Sequence, residues 1–151
     1  MVQFKMIPSI YVAHVNYWGD VHLKNLGAER GNYISPVKDA MDLGLVYNFH
    51  TDTPVVKPDM LHSVWTAVNR ISRNGVLIGA DQRVGVYDAL KGVTINAAYA
   101  YFEEDEKGSI KAGKRADLVI LSDNPLKVDP MAIKDIKVLE TMKDGQTVYK
   151  A

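Results

Sequence analysis

Apolar residues in the N-terminal two thirds of the chain alternate between strand-like runs and helix-like stripes. Ile7-Pro-Ser-Ile-Tyr-Val-Ala-His14 is β-branched and aromatic over a strand-sized length and leads into the polar stretch Asn16-Tyr-Trp-Gly-Asp20, so a strand followed by a loop is expected. Residues 23–33 contain Gly27 and Gly31 and are only weakly helical. Ser35-Pro36 then looks like an N-cap with proline at the first helical position of a short amphipathic helix, which Gly44 stops. Leu45-Val-Tyr-Asn-Phe-His50 forms a second predicted strand, closed by Thr51-Asp-Thr-Pro54.

Pro58 or Asp59 opens the next helix, in which Leu61, Val64, Trp65, Val68 and Ile71 recur on one face. Gly75–Ala80 reads as a loop, and Gly85–Phe102 as helical with a turn near Thr94-Ile-Asn96, where the β-branched pair disfavours one continuous helix. Beyond Gly108 the pattern changes to short strands at 108–113, 116–121, 136–142 and 146–150. Asp144-Gly145 between the last two predicts a type I′ hairpin, whose central residues both need positive φ. The strand, loop, helix order repeated twice is the signature of parallel βα units. Eight such units and about 250 residues close a barrel, so this chain can hold only a part of one.

Composition narrows the function classes. With 151 residues, 18 basic and 18 acidic side chains and 47% hydrophobic residues, the chain is ordinary globular protein without the charge footprint of a nucleic-acid or anionic-membrane binder. No nucleic-acid or membrane partner is expected. Cysteine is absent, which removes disulfides, thiolate nucleophiles and cysteine-based metal sites together. No apolar run approaches the roughly 20 residues of a membrane span, and Lys5 and Pro8 interrupt what would be a signal-peptide core. A cytoplasmic location is expected.

Gly44-Leu-Val-Tyr-Asn-Phe-His-Thr-Asp52-Thr-Pro54 resembles the eighth-strand segment of metal-dependent amidohydrolases, in which an aspartate ends the strand and a proline follows two residues later. Ala89–Ala98 and Gly108–Leu121 resemble that superfamily's exit from its barrel into a small β-sandwich, and Val138–Val148 resembles its closing hairpin. Trp18-Gly-Asp20, Leu26-Gly-Ala-Glu-Arg30, His50-Thr-Asp-Thr-Pro54, Ala67-Val-Asn-Arg70 and Ala98–Gly108, in this order, are similar to the branch that contains N-substituted formamide deformylases. Family members are several times longer and carry a His-x-His pair on their first barrel strand. Here the histidines are His14, His22, His50 and His62, and no two stand two residues apart.

The resemblance therefore implies the C-terminal portion of such an enzyme. Its fold class would be α/β: the last two βα units of a TIM-type (β/α)8 barrel over residues 1–107, and the C-terminal part of a small β-sandwich over residues 108–151. It implies Asp52 as catalytic residue and metal ligand, relaying a proton from a metal-activated water to the leaving nitrogen of a small-molecule amide. The divalent metal, zinc by this resemblance, would need further ligands from outside the chain, and the chain alone is expected to hold none tightly.

Read by itself, Asp52-Thr-Pro54 also fits a strand cap that starts a turn. His50, two residues before Asp52, would share its face while Tyr47, Phe49 and Thr51 point toward the helices. His14, at the end of the preceding predicted strand, and Trp18 are the other substrate-pocket candidates. His22 and His62 are expected on solvated surfaces, and Trp65 in the core. Arg70 either anchors the loop after the second predicted strand, through carboxylate or backbone contacts, or decorates a helix end. Glu103-Glu-Asp-Glu106 lacks the spacing of a calcium loop and reads as a solvated helix end.

Three function classes follow: part of a metal-dependent hydrolase of non-peptide carbon–nitrogen bonds, a non-catalytic truncated chain, or an interaction module reusing the sandwich. Self-association is expected as well, through free strand edges and through Val12, Tyr47, Phe49, Val64, Trp65 and Val68 left uncovered.

Overall fold

A computed structural model describes residues 1–151. Two parallel strands, β1 (Ser9–Ile10) and β2 (Asn48–Phe49), pair with Ser9 opposite Asn48 and Ile10 opposite Phe49. The Asn48 amide donates to Pro8 O at 3.0 Å and the His50 amide to Ile10 O at 3.3 Å, while Ser9 Oγ donates to Asn48 Oδ1 at 2.7 Å. Each strand runs into helices that cover one face. Tyr47, Phe49 and Thr51 are buried against those helices, as alternation along the strand requires.

The first strand is shorter than its apolar run. Helix α1 (His14–Asn32) begins where the loop was expected, because Val12, Val15 and Gly19 recur at helical spacing and all three are buried. Residues 23–32 are helical too, with a break at Gly27, whose φ is 77°.

Helix α2 (Val37–Asp42) is capped by Pro36, with no side-chain cap. Ser35 is not its N-cap: its φ is 49° and its hydroxyl donates to Tyr11 O at 3.1 Å. Helix α3 (Met60–Asn69) takes Asp59 as N-cap, which accepts from the His62 amide at 2.9 Å. Its apolar stripe buries Val64, Trp65 and Ala67. Helices α4 (Val86–Gly92) and α5 (Ile95–Ala100) are separated at Thr94, as the β-branched pair predicted.

Three antiparallel strands follow: β3 (Leu118–Leu121), β4 (Val138–Lys143) and β5 (Gln146–Lys150), in the order β3-β4-β5. Asp144 and Gly145 have φ of 50° and 77°, the turn their sequence predicts. Residues 108–113 form no strand; Lys114 Nζ instead holds this loop by donating to Lys107 O at 3.2 Å and Ser109 Oγ at 2.8 Å.

A 3-10 segment, Pro130–Asp135, absent from the sequence expectations although Asp129 caps it ahead of Pro130, inserts Ile133 into the main core beside Val12, Val37, Phe49, Val64 and Trp65. Trp65 Nε1 donates to Met131 O at 3.1 Å and Asn69 Nδ2 to Pro130 O at 2.9 Å, so the segment is fastened to α3. Val12, Tyr47, Phe49, Val64 and Trp65, expected on an uncovered face, are thus buried within the chain, and Val68 is half-buried. Helices α3 and α4 and the inserted segment supply the cover.

Candidate active site

The C-terminal ends of β1 and β2 lie side by side, and the residues that leave them form one cluster. Tyr11 follows β1, and its ring lies 4.4 Å from that of His14 and 5.2 Å from that of His50, which follows β2. Trp18 meets His14 edge-on at 5.0 Å and Tyr11 at 6.0 Å, and the His22 ring is 5.3 Å from His14. Three predicted pocket residues, His14, Trp18 and His50, are therefore brought together. His14 reaches the cluster as the first residue of α1 and not as the end of a strand.

Two residues of this cluster were not foreseen as site residues. His22 was expected in solvent, yet its Nε2 is buried without a hydrogen-bond partner, as is the Tyr11 hydroxyl. The signal was present: His14, Trp18 and His22 are spaced by four, one face of a helix, and it was lost by reading this stretch as a loop. His62 is likewise not a solvated residue. Its ring stacks on Trp65 at 5.8 Å and lies 5.1 Å from Tyr17, and its Nε2 is 3.1 Å from Asn16 Oδ1.

Asp52 sits three residues past Phe49, the end of β2, exposed, with φ of 54°, a left-handed conformation that aspartate tolerates better than most residues. Its carbonyl accepts from the Val55 amide at 2.8 Å, and Thr51 and Thr53 share a hydroxyl hydrogen bond of 2.9 Å on either side of it. Its carboxylate acts on the cluster through its field. Burial, and then Asp52, raise the Tyr11 pKa above the usual phenol value, so Tyr11 stays a protonated donor. Burial chiefly, then the neighbouring His22, lower that of His14, while Asp52 pulls it the other way.

Arg70 does not anchor the loop after β2; its backbone contacts tie the segment after α3 to the loop before α2. It is fully buried and donates from Nε to Ile78 O at 2.7 Å, from Nη1 to Ser35 O at 3.0 Å and from Nη2 to Ile34 O at 2.7 Å. The acidic run is only partly solvated: Glu103 pairs with Lys107 at 2.6 Å and Glu106 with Arg115 at 2.9 Å, but Glu104 Oε2 is buried without a hydrogen-bond partner. A cavity of about 900 Å³ opens between α3, α4 and the β3–β4 strands, lined by Leu61, Val64, Leu90 and Leu118 among others. None of the strand-end residues lines it.

The match to known proteins decides the family. The amidohydrolase family model matches residues 3–149. This chain belongs to the amidohydrolase family. It is 32% identical over 134 residues to the N-substituted formamide deformylase of Arthrobacter pascens, covering 88% of this chain and 25% of that protein. It is 34% identical over 151 residues to the protein LONG AFTER FAR-RED 3 of Arabidopsis thaliana, covering 97% of this chain and 25% of that one. Among solved structures, an uncharacterized metal-dependent hydrolase from Pyrococcus horikoshii superposes with a TM-score of 0.73 at 26% identity, over 85% of this chain and 26% of that one.

This amidohydrolase chain thus spans about a quarter of the length of the curated relatives it matches. No group of three or more histidine or acidic side chains in it could hold a metal ion. The residues present do not by themselves fit a metal centre, because a catalytic ion needs several ligands in fixed geometry. No helix is long and apolar enough to cross a membrane.

Proposed function

We propose that this chain supplies the last two βα units of a TIM-type barrel, residues 1–107, and part of the adjoining small sandwich, residues 108–151, to a hydrolase of non-peptide carbon–nitrogen bonds in amides, formamides or cyclic amides. In this reading Asp52 is the acid–base residue: its carboxylate takes the proton of the attacking water and passes it to the leaving nitrogen. The observation that carries the reading is the placement of Asp52 just past a parallel strand's C-terminal end, where barrel enzymes build their chemistry. A divalent metal, zinc in this reading, would take Asp52 as one ligand and the rest from outside these residues. His14, His50 and Trp18 line the substrate side.

Fusing or co-expressing the chain with an upstream segment bearing a His-x-His strand, and following formate release from an N-substituted formamide, tests the assignment. Asp52→Asn is expected to keep the fold and lower kcat by about 10²-fold or more. A loss below about fivefold would remove Asp52 from the proton path.

A second reading, a non-catalytic chain or interaction module, draws on the missing set of metal ligands. It gains if the assembled protein folds and turns over no amide.

A further inference from the structure

Asn74 is the only asparagine of the chain followed by glycine. Both residues are exposed, in the turn between Ile71 and its bridge partner Leu77. Gly75 has φ of 80°, and a Cβ placed on it would meet nothing within 4 Å, so neither a side chain nor a neighbouring segment shields the peptide bond between the two. The Asn74 backbone amide donates to Ser72 Oγ at 3.2 Å, while its carboxamide has no hydrogen-bond partner. The Gly75 amide donates to Ser72 O at 3.0 Å, and a single turn bond at the surface opens to water at little free-energy cost.

Asp144-Gly145 provides a contrast within the same chain. There the Asp144 amide donates to Asp117 Oδ1 at 2.9 Å and the Gly145 amide to Ala116 O at 3.0 Å, so both amides of the hairpin turn are fastened to a neighbouring segment. Its side chain is a carboxylate, a far poorer electrophile than a carboxamide.

We propose that Asn74 is a self-modifying site, deamidated in the folded protein with the Gly75 nitrogen as nucleophile. That nitrogen attacks Asn74 Cγ, and the new C–N bond closes a cyclic imide. The Cγ–Nδ2 bond breaks, and the Gly75 amide proton passes through solvent to Nδ2, which leaves as ammonia. Water then opens the imide at either carbonyl, leaving aspartate or isoaspartate. The product places a new carboxylate next to Arg73, whose guanidinium lies over the Tyr17 ring at 4.4 Å and pairs with no acidic side chain. A carboxylate competes with the ring for that cation. Tyr17 packs in turn against Trp18 at 5.3 Å and His62 at 5.1 Å, so the modification acts at the junction of α1 and α3.

Incubating the whole chain in mildly alkaline buffer without denaturant, followed by peptide mapping with mass spectrometry, tests this independently of any turnover or metal. The peptide that contains Asn74 is expected to lose ammonia and gain water, giving an aspartate and an isoaspartate form, while Asp144 and the remaining asparagines stay unconverted over the same period. Asn74→Gln keeps a carboxamide but lengthens the ring that must close, and should abolish the conversion. Asn74→Asp makes one product directly and should shift the Tyr17 ring resonances as the guanidinium is drawn away. A parallel incubation in urea gives the rate for the unfolded chain. Conversion confined to the urea sample would show that the bond to Ser72 O protects the Gly75 nitrogen, and would overturn the proposal. First conversion at Asp144 or at another asparagine would overturn it as well, and unmoved Tyr17 resonances in Asn74→Asp would remove the effect on Arg73.

Discussion

Arg70 donates from Nε to the carbonyl oxygen of Ile78 at 2.7 Å, from a side chain with no exposed surface. The same guanidinium reaches Ile34 O and Ser35 O, so one residue ties the end of α3 to the loop before α2 and to the loop that follows Ile71. Burial pulls its pKa down to about 10, which shows how far the charge is removed from water. Arg70→Met keeps the length but leaves these buried carbonyls without those donors. The expected loss is about 3 kcal/mol or more of unfolding free energy, measured by urea titration. A loss under about 1 kcal/mol would show that water or a neighbour replaces the guanidinium.

His62 makes stability depend on acid. Burial chiefly, then Lys134 and Arg73, lower its pKa from 6.5 in the folded chain, while Asp59 opposes them. Below that value the unfolded state takes up the proton first, so stability is complete above about pH 6.5 and falls as pH drops toward the folded-state value. His14, lowered for the same leading reason, acts in the same direction. Melting temperatures at about pH 7.5 and about pH 5.5 are expected to differ, lower in acid, and His62→Gln should reduce the difference. An identical drop in the variant would assign the effect to other groups.

Where sequence and structure agree, a local rule and the tertiary environment act together. Asp144-Gly145 needs only its own two positive φ values, and Asp59 caps α3 by a bond to His62 three residues on. They diverge where burial overrides propensity. Val12 was expected in a strand, yet it lies in the turn that leads into α1, buried with Val15 of the helix's first turn because that face meets the core. Ser35 looks like a cap but spends its hydroxyl on Tyr11 O. The site was half legible for the same reason: His50 and Asp52 follow directly from a short strand whose pattern is local, whereas His22 joins only through a helix the pattern did not show. Pro130–Asp135 did carry a start signal, Asp129 as N-cap before Pro130, but the segment is one short turn with a single fully buried residue, Ile133, too short to show a periodic stripe.

Metal binding by this chain alone should be weak. One exposed carboxylate and histidines that form no chelating group give an ion too few ligands. After exhaustive dialysis, elemental analysis is expected to find no stoichiometric zinc, and neither formamides nor hydantoins should be hydrolysed. One zinc per chain together with turnover would require a ligand set that this fold does not assemble.

Self-association remains the expected solution behaviour, on different surfaces from those the sequence suggested. The sheet of β1 and β2 contains only those two strands, so each leaves its outer edge unpaired, and such edges pair readily with another chain. The core around β1 and β2 is covered, but the β3–β5 sheet leaves Val119, Ile120, Val148 and Tyr149 exposed, and Tyr101, Phe102 and Ile110 are 76%, 86% and 89% exposed near one another in sequence. Joining free edges between copies restores backbone hydrogen bonds, and a symmetric contact through the exposed aromatics removes apolar area from water. Light scattering coupled to size exclusion is expected to show a species at least twice the 16.8 kDa of the chain. Phe102→Asp and Ile110→Asp together should shift it toward monomer if the patch contributes, while persistence of the larger species would assign it to the strand edges. A clean 16.8 kDa monomer at tens of micromolar would show that two short strands and one exposed patch are too little to hold copies together.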